Sequence, residues 1–137
     1  MPQENVNVEV VRRLYAAWKD GGFPGPPELL AADIEYVNPA GAVEPGTRHG
    51  LPAFLAAVEK LFEGWASWEM EPEDLRALGD RVAVLLAYRA RARQSGIEVE
   101  GRESALLTVR EGSIVRYEWF HGPQDAFEAL EGAGPEG

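Results

Sequence analysis

Between Trp65 and His121 apolar and polar residues alternate, and only short turns that carry Gly break the pattern. A period of two sends successive side chains to opposite faces of a strand, whereas a helix would scatter the same residues around its axis. The second half of the chain therefore reads as a meander of long antiparallel strands. Trp68 and Met70 alternate with Glu69 and Glu71, and Pro72 marks a bulge or break. Gly79-Asp80 then turns the chain into a strand from Arg81 to Arg93. In that strand Val82, Val84, Leu86, Tyr88, Ala90 and Ala92 share one face. Ala83, Leu85 and Ala87 share the other, followed by Arg89, Arg91 and Arg93. A strand that is apolar on both faces needs cover on both.

Ser95-Gly96 leads into the next strand, where Val99, Gly101, Glu103, Ala105, Leu107 and Val109 lie on one face and Arg91 is expected opposite Glu100. Glu111-Gly112 is a second turn. It opens a strand with Val115, Tyr117, Trp119 and His121 on one side and Ile114, Arg116, Glu118 and Phe120 on the other. Gly122-Pro123 precedes a short helix with Ala126, Phe127 and Leu130.

The first half has a helical period. Val6, Val10, Val11, Leu14, Tyr15 and Trp18 form one stripe, and Asp20-Gly21-Gly22 ends it. Pro26-Pro27 opens a short second helix through Leu29 and Leu30. A strand begins at Asp33, with Ile34, Tyr36 and Asn38 on one face, and Pro39 and Gly41 end it in a loop that reaches about Gly50. Phe54, Leu55, Val58, Leu61 and Phe62 mark a third helix between Pro52 and Gly64. The order predicts an α+β fold, a curved antiparallel sheet wrapped around three N-terminal helices.

A chain of 137 residues is expected to form one domain, here over 1–131, with 132–137 as a flexible polar tail. The net charge of −10 argues against nucleic acid and anionic membrane as partners. Without Cys there is neither a disulfide nor a thiolate nucleophile. His49 and His121 stand at no metal-ligand spacing, so no metal is expected. No phosphate-cradling Gly-rich loop is present, and no cofactor is expected. The N-terminus lacks the pattern of a signal peptide and no apolar run is long enough to span a bilayer, so a cytoplasmic location is expected.

Three segments carry a resemblance: Val10-Val11-Arg12-Arg13-Leu14-Tyr15-Ala16-Ala17-Trp18, Ala32-Asp33-Ile34-Glu35-Tyr36-Val37-Asn38-Pro39, and Arg110-Glu111-Gly112-Ser113-Ile114-Val115-Arg116. In order and spacing they resemble the cone-shaped domain shared by nuclear transport factor 2, ketosteroid isomerase and the SnoaL-like polyketide cyclases. The resemblance covers nearly the whole chain. In ketosteroid isomerases it implies a base carboxylate before the Pro that ends the first strand, a Tyr in the first helix and a neutral Asp. Those places read Asn38, Leu14 and about Ala105 here, so that activity is not expected. SnoaL-like cyclases and related epoxide hydrolases place a working carboxylate on the inward face of the last strands, near Trp119 in this chain.

Glu103 lies on the face expected to line the cone, where apolar neighbours would raise its pKa and suit it to acid or base work. The alternative is a carboxylate tilted to the rim and paired with an Arg. His121 can titrate near neutrality at a pocket mouth, and Asn38 can donate to a carbonyl or cap the turn before Pro39. Tyr15, Trp18, Tyr36, Tyr88, Tyr117 and Trp119 are either core or the lining of a cavity for a flat ligand. Arg48, in the loop after Glu44-Pro45, can meet an anionic ligand.

Two classes of function follow. One is a binding module for a small hydrophobic molecule. The other is a cofactor-independent acid–base enzyme acting on a small carbonyl compound, in which Glu103 or His121 moves the proton and Asn38 or Tyr88 steadies the oxyanion. An adaptor of the nuclear transport type would instead need a large exposed apolar patch. Ala83, Leu85, Ala87, Leu106, Ile114 and Phe120 are expected on the outer sheet face, and covering them predicts a homodimer through that face.

Overall fold

The computed structural model describes residues 2–19, 25–38 and 46–133. In chain order it contains α1 (Pro2–Lys19), a single 3-10 turn (Pro27–Leu29), β1 (Leu30–Asn38), β2 (Gly46–His49) and α2 (Leu51–Glu63). The strands β3 (Trp65–Leu78), β4 (Arg81–Ala92), β5 (Glu98–Arg110) and β6 (Ser113–Phe120) follow, and then α3 (Asp125–Ala133). The six strands make one curved sheet in the order β2-β1-β6-β5-β4-β3. The α+β class read from the sequence holds. The sheet is mixed rather than purely antiparallel, because β1 runs parallel to β6 while every sequential pair is antiparallel.

The local signals act where expected. α2 begins after Gly50, with Pro52 in its first turn, where its missing N–H had no partner to lose, and ends at Gly64. Glu111 and Gly112 both take positive φ, 53° and 81°, the backbone of a two-residue turn that matches the twist of its strands. Pro72 does not end β3; the strand continues through a register shift between Pro72 and Asp74.

Other expectations are corrected. The second helix is only the 3-10 turn, and β1 starts at Leu30 rather than Asp33. Residues 46–49, read as loop, form β2 because β1 offers them a free edge. Val6 is half exposed, and Asn7 takes the buried place, with its side-chain N–H donating to the Gly79 carbonyl at 3.3 Å. In the β4–β5 hairpin Arg89 faces Glu100 and Arg91 faces Glu98, a shift from the expected Arg91–Glu100 register that the turn geometry sets. A bulge at Val115 moves Ile114 to the inner face: Val109 pairs Ile114, but Thr108 pairs Arg116. Ile114 is accordingly fully buried in the main core. The expected helix stop at 20–22, the loop at 39–45 and the end of the tail at 134–137 lie outside the described residues. α3 runs to Ala133, past the expected start of the tail at residue 132.

The main core lies on the concave face. There Val11, Leu14 and Tyr15 of α1 and Phe54 and Val58 of α2 pack on Val82, Val84, Leu86, Ala105 and Leu107. On the opposite face α3 lays Ala126, Phe127 and Leu130 over Ala83 and Leu106, with Leu85 and Phe120 at the margin. The Ser104 hydroxyl anchors this helix, donating to the Gly122 carbonyl at 2.6 Å and accepting from the Ala126 amide at 3.0 Å. Of the residues expected to form a dimer through this face, α3 buries Ala83 and Leu106 and Ile114 lies inside, while Leu85, Ala87 and Phe120 stay partly exposed. Among the described residues, no helix is long and apolar enough to cross a membrane.

Candidate functional site

Between the helices and the sheet lies a cavity of about 60 Å³ lined by Trp18, Tyr36, Val58, Phe62, Trp68, Met70, Glu103, Tyr117 and Trp119. Four of the six expected aromatic residues meet there: Trp18 from α1, Tyr36 from β1, and Tyr117 and Trp119 from β6. The parallel pairing of β1 and β6 sets Tyr36 beside Tyr117, with ring centroids 5.9 Å apart. Trp18 lies 5.9 Å from Tyr117 on the other side.

Tyr15 and Tyr88 stand behind this wall. Tyr15 is fully buried, and its hydroxyl shares a 2.7 Å hydrogen bond with that of Tyr117. Tyr88 stacks on Trp68 at 5.9 Å with planes only 6° apart. That stack depends on Gly101, opposite Tyr88 on β5, because a Cβ there would sit 2.9 Å from the Tyr88 hydroxyl.

Glu103 is the carboxylate of the cavity. Its strand neighbour on β4 is the fully buried Leu86. Burial pushes the Glu103 carboxyl up to about 7 from an ordinary 4.5, since a charge removed from water loses hydration that apolar walls do not replace. Among the described residues no cation or hydrogen-bond donor offsets this. The alternative of a rim carboxylate paired with an Arg is therefore not the arrangement found. The same burial holds the Tyr15 and Tyr117 phenols well above their ordinary range, and the nearby Glu103 charge adds to the effect. Tyr36 is pushed up to about 12 by burial, against the opposing pull of the Trp119 indole and of Arg48.

The remaining candidates do not converge on Glu103. Asn38 Oδ1 accepts the Trp119 indole N–H at 2.5 Å, so its carbonyl holds a wall residue in place. His121 is exposed beyond the end of β6, edge-on to Trp119 with ring centroids 4.8 Å apart. Arg48 belongs to β2 rather than to a loop and is paired across from Tyr36. Among the described residues no three carboxylates or imidazoles gather as a metal site would require.

Sequence reasoning missed Val58, Phe62, Trp68 and Met70 as site residues. The signal was present for the last two, since the alternation in β3 puts Trp68 and Met70 on the inner face. Nothing local to β3 says that this face meets β6 across a cavity.

A concave six-stranded sheet closed by helices, with a small cavity between them, defines an α+β cone of the nuclear transport factor 2-like type. Residues 11–117 match the family model for the SnoaL-like domain, and the chain belongs to that family. An uncharacterized protein of Mycobacterium tuberculosis is 26% identical over 128 residues, which span 93% of this chain and 97% of the relative. Among solved structures, a proposed SnoaL-like polyketide cyclase from Jannaschia sp. CCS1 superposes with a TM-score of 0.78 at 23% identity, over 98% of this chain and 97% of that one. TerC, co-crystallized with polyporic acid, gives a TM-score of 0.75 at 22% identity, over 92% and 98% of the two chains. At these identities the structural likeness speaks for the fold alone.

Proposed function

We propose that this SnoaL-like domain takes a small, flat, mostly apolar molecule between Trp18, Tyr36, Trp68 and Trp119, and that Glu103 exchanges a proton with it. The observation that carries this reading is Glu103 itself, a carboxyl without a partner among the described residues, in an apolar cavity, with its pKa raised to about 7. A general acid or base works best with a pKa near the working pH, and a desolvated carboxylate is a stronger base than a hydrated one. Polyporic acid in TerC is in keeping with a small organic molecule as the occupant of such a cone.

The test uses 5-nitrobenzisoxazole, a flat molecule that reports a buried base. A Glu103 oxygen would take the ring C–H proton, the C–H electron pair would form the nitrile, and the N–O bond would break to release a phenolate that absorbs visible light. The expected result is turnover that rises with pH to a plateau above about 7 and is lost in Glu103→Gln. Equal turnover in Glu103→Gln would overturn the assignment.

Binding without chemistry is a second reading. It is favoured by the small cavity and by Asn38 and His121, which are respectively engaged by Trp119 and exposed outside the cavity. On that reading the same probe binds, quenching tryptophan fluorescence, and leaves unchanged.

A further inference from the structure

Trp68 lies on the inner face of β3 and is held by rings on several sides: Tyr88 stacked at 5.9 Å, Trp65 at 5.6 Å and Phe62 at 5.8 Å. These contacts fix the indole but none supplies an acceptor. Its Nε1–H is closed off from solvent and has no hydrogen-bond partner, the one buried side-chain nitrogen or oxygen among the described residues in that condition. Two other polar groups on the wall are engaged: the Trp119 indole donates to Asn38, and the Tyr117 hydroxyl pairs with Tyr15. A buried donor without an acceptor carries a desolvation penalty, and native structures rarely keep one without a reason. The same cavity also holds Glu103, an acceptor without a donor.

We propose that the Trp68 indole N–H is the specificity-determining donor of the cavity, receiving a carbonyl or other acceptor oxygen of the bound ring compound. The inference rests on the pocket reading above and adds what that reading lacks, namely which polar group the ligand must carry and where. Trp68 can only donate, and an ionised Glu103 can only accept, so the two sort a ligand by orientation as well as by composition. A pure hydrocarbon would leave the Trp68 donor unsatisfied and lose affinity accordingly. The cavity as it stands is about 60 Å³, and Met70 on its wall has a flexible, unbranched side chain that can turn aside to enlarge it.

The experiment compares two probes of nearly identical shape, acetophenone and α-methylstyrene, in which a carbonyl oxygen is exchanged for a methylene group. Both are titrated into the full chain while the indole N–H resonances are followed by two-dimensional NMR. The Trp68 signal is the one missing from Trp68→Phe, a variant that keeps an aromatic ring against Tyr88. Acetophenone is expected to move the Trp68 N–H signal downfield, and α-methylstyrene is not. Trp68→Phe should weaken acetophenone roughly three- to tenfold more than it weakens α-methylstyrene, the difference being the worth of one hydrogen bond. Equal weakening of both probes, or an unmoved Trp68 signal at saturating acetophenone, would overturn the proposal. If neither probe binds the wild-type chain, the pocket reading itself fails and the inference with it. Should Trp68→Phe not fold, as its amide spectrum would show, the shift in the wild-type protein still decides.

Discussion

Replacing Glu103 by Gln removes a titratable group and changes little else in the shape of the site. The folded-state pKa of about 7 lies above the ordinary 4.5. Between those values the unfolded chain is ionised at this position while the folded chain holds a proton, so stability falls as pH rises through that window. Below 4.5 the group is neutral in both states and costs nothing of this kind. Above 7 it is ionised in both, and the full penalty of about 3 kcal/mol applies. At pH 5.5 the penalty is about 1.4 kcal/mol. The Gln variant escapes the pH-dependent part, so its stability relative to wild type should improve by about 2 kcal/mol between pH 5.5 and pH 8.5. Urea unfolding followed by tryptophan fluorescence at the two pH values measures this, with equal m-values required for the comparison. Any constant offset from exchanging acid for amide cancels in the difference. A relative stability that is flat with pH would show that Glu103 is solvated or paired, and would remove the basis for its role as a base.

Three further outcomes follow from particular contacts. Tyr117→Phe strands the fully buried Tyr15 hydroxyl and should cost about 1–3 kcal/mol in urea unfolding, with the cavity wall otherwise intact. Glu111→Asn should stabilise by a few tenths of a kcal/mol up to about 1, because Asn tolerates the positive φ of 53° better than Glu; an unchanged melting midpoint would count against strain there. Ending the chain after Gln124 removes α3 and uncovers Ala83, Leu85, Leu106 and Phe120, so sedimentation should show more self-association than the full chain does at the same concentration.

The periodicities in this sequence are local properties, and what depends on them was legible. The inner placement of Val82, Val84, Leu86 and Glu103, the bounds of α2 between Gly50 and Gly64, and the turn at Glu111-Gly112 all follow from side-chain alternation and from the backbone preferences of Pro and Gly. Where one residue was inserted, the reading failed: Val115 bulges out of the β5–β6 ladder, and Ile114 changes faces, with nothing in its immediate neighbours to announce it.

The tertiary structure alone decided which elements became neighbours. The parallel pairing of β1 with β6 joins segments some eighty residues apart and thereby brings Tyr36 against Tyr117. The folding back of α3 buries Ala83 and Leu106 of the outer face. The site owes most to such contacts. That Glu103 points into the cone was written in the alternation of β5. That no cation among the described residues meets it there, and that Trp68 of β3 lines the same space with no acceptor among them for its N–H, depend on how segments distant in sequence close around it. A residue's face is set by its own strand, whereas its partners and its dielectric surroundings are set by everything that packs against that face.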